Sequence, residues 1–434
     1  MNDRAPGLVP ETLGDWLTHM ERVHSKHIEM GLERVSQVGS QMGLKPDFPL
    51  ITVGGTNGKG SVCAMLQAVL TAAGYRTGCY SSPHLLRYNE RVRIGRADAD
   101  DATLCRSLAA VEAARQGVAL TYFEFGTLAA MKSFVDAGVD AAILEVGLGG
   151  RLDAVNIFDS DCAVITSIGI DHVDYLGHTR ESIGWEKAGI FRPQRPAVCG
   201  ESDPPDTVEA EARRVGTRLL RFGADFGFAG DRLQWSYRGP GGKRGGLPLP
   251  ALRGAHQLRN AAVVLAVLDE MKEKLPVAMR DLRQGLVDVA LPGRFQVIPG
   301  RPAVVLDVAH NPQAAEALAA SLGEMGPFRK TVAVFAMLRD KDIAGVVRAV
   351  RARIDAWFVG GIDGPRGASA AEVREVIEAQ DGVGPVQAFR TPSEAFARAC
   401  ESAGADDRIC VFGSFYTVAD VMRDWQSGPG KNPG

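Results

Sequence analysis

A chain of 434 residues is longer than one ordinary hydrophobic core supports, so two domains are expected. Its 45% hydrophobic and 23% charged residues are those of a globular protein in water, and a net charge of -3 offers no basic footprint for nucleic acid. The seven cysteines are scattered without a C-x-x-C pair, which argues against a disulfide framework or a zinc cage and fits a reducing compartment.

The opening MNDRAPGLVPETLGDW has neither the basic start nor the apolar core of a signal peptide. Apolar runs such as AAVVLAVL (261–268) are far shorter than a bilayer span, so a cytoplasmic protein outside the membrane is expected. In chain order, PLITV (49–53) reads as a strand, followed by the glycine-rich ITVGGTNGKGSV and a helix with Val62, Met65, Leu66, Val69 and Leu70 on one face. Gly74 reads as its C-cap. Further strands are expected at RTGCY (76–80), AAILEV (141–146) and CAVITSI (162–168).

Between about 200 and 255, RLQWSYR, GPGGKRGG and LPLPALRG read as a hairpin and loops, a small β excursion. Helical periodicity returns in HQLRNAAVVLAVLDEM. After LPGRFQVIPGRP a fresh series begins with AVVLDV (303–308), TVAVFAM (331–337), AWFVGG (356–361) and RICVFGS (408–414). The expected division is therefore 1–297 and 298–434, both α/β with mostly parallel sheets. The closing SGPGKNPG reads as a disordered tail.

Strand, glycine-rich turn and helix in that order form a phosphate cradle, because the turn's N–H groups and the helix N-terminus face the anion together. Asn57, Gly58, Lys59, Gly60 and Ser61 are its candidate residues, although Gly60 displaces Ser61 one place from the usual G-K-[ST] position. In a parallel sheet the segments after each strand emerge at the ligand-binding edge. That edge collects Ser81-Ser82-Pro83-His84, Glu145 and Asp171-His172. A triphosphate carries about four negative charges, each worth ~4 kcal/mol against a unit charge 4 Å away at an effective dielectric near 20. One lysine cannot offset that array, so magnesium is expected, with oxygen ligands from Ser82 and Glu145 and the softer His172 as third candidate. Ser82 also reads as a turn before Pro83, and His172 as a helix cap or core histidine.

The set GTNGKGS (55–61), YSSPHL (80–85), LEVGLGGRLDAVN (144–156), SIGIDHVDYLG (167–177), EKAGIFRP (186–193), GRF (293–295), LDVAHNP (306–312) and GSFYTV (413–418) resembles the dihydrofolate synthase/folylpolyglutamate synthase family of the Mur ligase group. The likeness runs in order from about residue 12 to about 422. It implies an N-terminal P-loop Mur-ligase-type domain and a smaller, Rossmann-like C-terminal glutamate-ligase domain. The implied chemistry is ATP-dependent joining of L-glutamate to dihydropteroate and to reduced folates through an acyl phosphate.

By the same resemblance, ATP is a co-substrate, two Mg2+ ions take part, and Lys187 carries a carbamate. Such a lysine must be buried and partly neutral, since an ammonium does not react with carbon dioxide. Read without the resemblance, Lys187 is a helical ion-pair partner. Asn260, Arg294 and Asp307 match ATP contacts, with an interdomain ion pair as the plainer reading of Arg294. His310 and Ser414 match positions near the incoming glutamate, and both also read as caps or turns. For the pterin, HIEMGLERV, TYFEFG and GRLDAVN supply Glu29, Phe123, Glu124, Leu152, Asp153 and Ala154, with core packing as the alternative for Phe123. A monomer is expected. The competing readings are a single-activity synthase, a Mur-type peptidoglycan ligase, and a nucleotide switch that hydrolyses ATP without ligation. A switch has no need of LDVAHNP and GSFYTV facing the loop.

Overall fold

The computed structural model describes residues 10–26, 28–230 and 233–427. The expected tail beyond Ser427, His27 and Arg232 within two of the quoted segments, and the first nine residues lie outside these. The first sheet has eight strands in the order Ala97–Asp98, Val92–Ile94, Thr77–Tyr80, Ala141–Glu145, Leu50–Gly54, Cys162–Ile165, Pro196–Cys199 and Arg218–Arg221. All neighbours from Thr77–Tyr80 onward are parallel, while the two edge strands pair antiparallel. The central strand is flanked on both sides, Ile51 standing opposite Ile143 and Cys162.

Both faces of that sheet are covered, which is why its strands read as continuous apolar runs. Period-two alternation sends Ile51, Val53 and Ile143 into one core, with the helices Lys59–Ala72, Ala255–Glu270 and Met279–Asp288. Leu50, Ala142 and Leu144 face the other, with Leu13–Val23, Asp101–Arg115 and Tyr122–Ala137. Burying each Leu, Ile or Val side chain contributes roughly 1.5–3 kcal/mol.

The chain leaves Leu50–Gly54 toward Thr77–Tyr80 on one side, and leaves Ala141–Glu145 for Cys162–Ile165 on the other. This reversal opens a crevice at the carboxyl ends, the usual ligand position in such sheets. The glycine-rich turn sits at that point. Its helix ends with Ala73 at the C-cap, and Gly74 takes the positive φ one residue later.

The 200–255 stretch departs from expectation. Residues Asp206–Val215 are helical and Arg218–Arg221 form the last strand of the main sheet, so the β excursion shrinks to Gly227–Gly230, Trp235–Gly239 and Gly242–Leu247. Charge hid the helix: in DTVEAEARRV only Val208, Glu211 and Ala212 are buried, leaving a thin apolar face. Trp235 and Tyr237 anchor the small antiparallel sheet on the main core, Trp235 donating from Nε1 to Pro248 O at 2.8 Å.

The second sheet runs Gln296–Ile298, Ala303–Leu306, Arg408–Phe412, Thr331–Phe335, Ala356–Gly360 and Val386–Phe389, with only the first strand antiparallel. Its four inner strands are those read from sequence. The edge strand Val386–Phe389 escaped notice because none of its residues is fully buried. All seven cysteines are free. Among the described residues no helix is long and apolar enough to cross a membrane.

Candidate active site

The glycine-rich turn is shaped by two close approaches. Gly55 has φ +141° and a Cβ there would lie 1.9 Å from Thr166 Oγ1; Gly58 has φ +88° and its Cβ would lie 2.8 Å from Asn260 Oδ1. Side chains are excluded at both on conformational and steric grounds. The segment after Cys162–Ile165 holds the turn: Thr166 Oγ1 donates to Asn57 O at 2.7 Å, and Ser167 Oγ accepts from Asn57 N at 2.9 Å. Helix Lys59–Ala72 then starts with no side-chain cap, leaving its first amides for another acceptor. Lys59 Nζ folds back onto Gly55 O and Thr56 O, at 3.0 and 3.2 Å.

Gly60 differs from its neighbours. A Cβ there would meet Arg294 Nη2 and Leu291 Cδ2 at 3.7 Å and Glu145 Oε1 at 3.9 Å, ordinary contact distances. Protein packing alone does not require this glycine. Ser61 is buried and its Oγ accepts from Gln257 Nε2 at 3.3 Å, while Gln257 Oε1 accepts from Asn260 Nδ2 at 2.9 Å.

A cavity of about 960 Å³ lies between the two sheets' carboxyl edges. Every residue expected at the nucleotide, the metal or the reacting groups lines it, from Asn57 in the first domain to Ser414 in the second. Its lining includes eight lysines and arginines against four carboxylates, a balance suited to an anionic ligand.

Ser82 and Glu145 meet directly, Ser82 N donating to Glu145 Oε2 at 3.1 Å across adjacent strand ends. Burial raises the Glu145 pKa, opposed by Lys59, the Ser82 amide and Arg294. A buried carboxylate beside a hydroxyl is a hard-oxygen donor set that fits magnesium, with phosphate oxygens completing the shell. His172 occupies the N-cap of the short helix Val173–Leu176, with φ +52°. Burial and the Lys341 ammonium, 3.5 Å from its Nε2, hold its pKa near 4, so the imidazole is neutral at pH 7. It shares the cavity with Ser82 and Glu145, but in this arrangement its ring faces a cation.

Lys187 is 4% exposed and forms no ion pair among the described residues, so the helical salt bridge is not realised. Burial and then the nearby Lys59 bring its pKa from 10.5 to about 7. Arg294 likewise finds no carboxylate within ion-pair distance among the described residues. Its guanidinium lies 4.8 Å from the Phe415 ring centre and points toward Gly60. Asp307 accepts from Phe295 N and Ala309 N, at 2.8 and 2.7 Å, which fixes the turn carrying His310. His310 donates from Nδ1 to Val308 O at 2.9 Å. Ser414 Oγ accepts from Tyr416 N at 3.2 Å, so the capping role is present and the residue still lines the cavity.

The domain junction carries a network not foreseen from sequence. Asn57 and Asn311 exchange amide hydrogen bonds at 3.1 and 3.0 Å, while Asn311 Oδ1 caps the helix Pro312–Glu324. Lys341 Nζ reaches Asp171 Oδ1 at 2.6 Å and Asn311 Nδ2 reaches Asp171 Oδ2 at 3.2 Å. Burial opposes ionisation of Asp171, yet the surrounding His172, Lys341 and His310 hold its carboxyl well below the usual range. Lys341 sits in RDKDI, where a lysine between aspartates reads as solvated surface.

Comparison with known proteins bears on this arrangement. A family model for the Mur ligase middle domain matches residues 53–268, and one for the Mur ligase glutamate ligase domain matches residues 293–415. The chain is 44% identical over 411 residues to the dihydrofolate synthase/folylpolyglutamate synthase of Escherichia coli (strain K12), covering 94% of each. It belongs to the dihydrofolate synthase/folylpolyglutamate synthase family. Two solved structures of dihydrofolate synthase/folylpolyglutamate synthases superpose closely. The Escherichia coli protein in complex with DHPP and ADP has a TM-score of 0.92 at 42% identity, covering 96% of this chain and 99% of that one. A bifunctional enzyme with Mn, AMPPNP and L-glutamate bound has a TM-score of 0.89 at 46% identity, with the same coverage.

The residues that the family resemblance implies for the pterin lie outside the lining of this cavity. Glu29, Phe123, Glu124, Leu152, Asp153 and Ala154 are all absent from its lining. Glu124 is buried; it closes the capping box of Tyr122–Ala137 and pairs with Arg34 at 3.0 Å. Glu29 pairs with His24 at 2.8 Å. Asp153 accepts from Leu148 N and Val155 N, at 2.8 and 3.1 Å, and burial lifts its pKa to about 7. Phe123 packs against Gly147, where a Cβ would come within 2.6 Å of its ring. Ala154 is buried, and Leu152 is partly exposed.

Proposed function

We infer that this chain joins L-glutamate to dihydropteroate, giving dihydrofolate, and extends reduced folates with further glutamates at the expense of ATP. One observation carries the reading: a phosphate-type loop on the first sheet faces His310 and Ser414 on the second across a single cavity. A switch needs only the first half of that arrangement.

In the reaction, an oxygen of the acceptor carboxylate attacks the γ-phosphorus of ATP and ADP leaves. The glutamate amine then attacks the acyl phosphate carbon, the amide forms, and inorganic phosphate departs with the amine proton lost. The amides of Asn57 to Ser61 and the Lys59 ammonium bind phosphate oxygens. Asn260 and Asp307 hold the nucleoside side, and the unpaired Arg294 guanidinium reaches across the junction to the terminal phosphates. Ser82 and Glu145, with His172 after a turn of its ring from Lys341, would hold magnesium, which when bound neutralises charge on the transferring phosphoryl group. His310 and Ser414 orient the incoming glutamate. Lys187, as a carbamate, would add one negative charge shared over two oxygens on the metal side and accommodate a second ion. The two domains, divided near 298, close to keep water from the acyl phosphate.

The pterin is held near the first domain's Glu29, Phe123, Glu124 and 152–154 segments, a reading supported by Phe123 packing on Gly147, which lines the cavity. The reading also carries a cytoplasmic monomer without nucleic-acid or membrane partners. The test is to incubate the protein with ATP, magnesium and glutamate, offer dihydropteroate or tetrahydrofolate separately, and identify products by mass. Glutamate added to only one acceptor would reduce the protein to a single activity. ATP hydrolysis without any glutamate-dependent product would leave a switch.

A further inference from the structure

Arg91 was not among the residues singled out from sequence, and it makes no hydrogen bond to the phosphate loop or to Ser82, Glu145 or His172, although its charge favours ionised Glu145. It ends the 3-10 turn Tyr88–Arg91 and lines the cavity. Its carbonyl accepts from Ser81 N at 3.0 Å, which sets its backbone beside the segment carrying Ser82. Its guanidinium packs against the T-shaped pair of Tyr88 and Tyr122, 5.4 Å from the first ring centre and 5.5 Å from the second. Nε donates to His84 Nδ1 at 2.8 Å. Among the described residues no carboxylate lies within ion-pair distance of it, Glu145 being felt only through space, so the fork of terminal N–H groups is held in place without a hydrogen-bonded anion.

An arginine fixed through Nε and packed on an aromatic pair is prepared to receive a planar, two-oxygen anion on its remaining donors. Arg423, from the second domain's helix Phe415–Ser427, also lines the cavity and adds positive charge near His84. The ligand this fits is a second carboxylate on the acceptor, set apart by a short aliphatic spacer from the carboxylate that is phosphorylated. The two acceptors differ in this respect. Dihydropteroate carries a single carboxylate, the reacting one, whereas a folate ending in glutamate carries an α-carboxylate that stays free while its γ-carboxylate is activated.

We propose that Arg91, steadied by His84, Tyr88 and Tyr122, binds the free α-carboxylate of a glutamate-terminated acceptor and so selects for chain extension over the first ligation. The inference rests on the ligase reading above and adds to it a residue that distinguishes the two acceptors.

The experiment compares Arg91→Gln and Arg91→Lys with the unsubstituted protein, using tetrahydrofolate and dihydropteroate as acceptors at saturating ATP and glutamate. Loss of one charge-assisted carboxylate contact raises KM for tetrahydrofolate about tenfold or more in Arg91→Gln and leaves KM for dihydropteroate within about twofold. Arg91→Lys recovers part of the loss. The dihydropteroate reaction is the internal control for folding. Unchanged KM for both acceptors overturns the proposal. So does an equal rise for both, since Arg91 would then serve the reacting carboxylate or the phosphate common to the two reactions. Absence of any glutamate-dependent product from the unsubstituted protein would overturn the ligase reading itself.

Discussion

Lys187→Ala probes the site at its least ordinary group. The side chain is 4% exposed with a pKa brought from 10.5 to about 7, first by burial and then by Lys59. At pH 7 an ordinary lysine is neutral in about one molecule in 3,000, whereas here about half are, a gain on the order of 1,000-fold in amine able to attack carbon dioxide. The neutral amine nitrogen bonds to the carbon and one proton leaves, so a neutral group becomes an anionic carbamate. Labelled bicarbonate should therefore give a carbamate carbon signal by NMR that is absent from Lys187→Ala. Turnover of the variant should fall on the order of 100-fold, the usual consequence of losing a preorganised charge at a reacting phosphoryl group. Acetate or another small carboxylate should restore part of it.

The same group sets a stability trend. The unfolded lysine keeps its proton up to about 10.5 and the native one releases it near 7, so the native state binds fewer protons between these values. With carbon dioxide excluded, its contribution to stability rises with pH across that window, by roughly 5 kcal/mol in all, and Lys187→Ala should flatten the rise in urea midpoints. Full turnover of the variant without added carboxylate, together with no labelled signal in the unsubstituted protein, would refute the reasoning.

Three further outcomes are expected. Gly55→Ala drives a Cβ into Thr166 Oγ1 at 1.9 Å on a backbone with φ +141°; a penalty of at least ~2 kcal/mol should appear as a lower Tm and about tenfold or more weaker ADP binding, and unchanged ADP affinity would contradict it. Asn57→Ala and Asn311→Ala interrupt the same reciprocal amide pair; a double-mutant cycle in kcat/KM for ATP should show coupling of about 1–2 kcal/mol, and simple additivity would remove the junction contact from function. Lys341→Met leaves the buried Asp171 without its lysine. It should lower kcat/KM for glutamate on the order of 100-fold, about 3 kcal/mol, with ADP affinity within about threefold. An equal loss of ADP affinity would show that the pair supports the loop rather than the closure of the domains.

Much of the first sheet was legible because its strands are buried on both faces, so each reads as an unbroken apolar run beside a turn. PLITV, AAILEV and CAVITSI announce themselves by hydrophobicity, and GGTNGKGS by the glycines its backbone requires at 55 and 58. The helix Asp206–Val215 and the strand Arg218–Arg221 were missed because their apolar faces are one or two residues wide and the charged positions dominate the pattern. Asn311-Pro312 read correctly as a helix start, since a cap and a ring fixed in φ are local properties.

What the sequence determined by itself was therefore local: the strand-turn-helix cradle, the acidic and hydroxyl groups at strand ends, and the order of motifs shared with the family. What only the tertiary structure decided was which groups meet. Lys187 becomes half neutral because the fold buries it, not because of any neighbour in sequence. Arg294 is left without a carboxylate within ion-pair distance and Arg91 packs on a pair of tyrosines, and neither fact is revealed by the local sequence. Asp171 finds Lys341, 170 residues away, because two sheets turn their carboxyl edges toward one cavity. Charge state and partner choice depend on distance in space and on exclusion of water, and a linear sequence encodes both only through the complete fold.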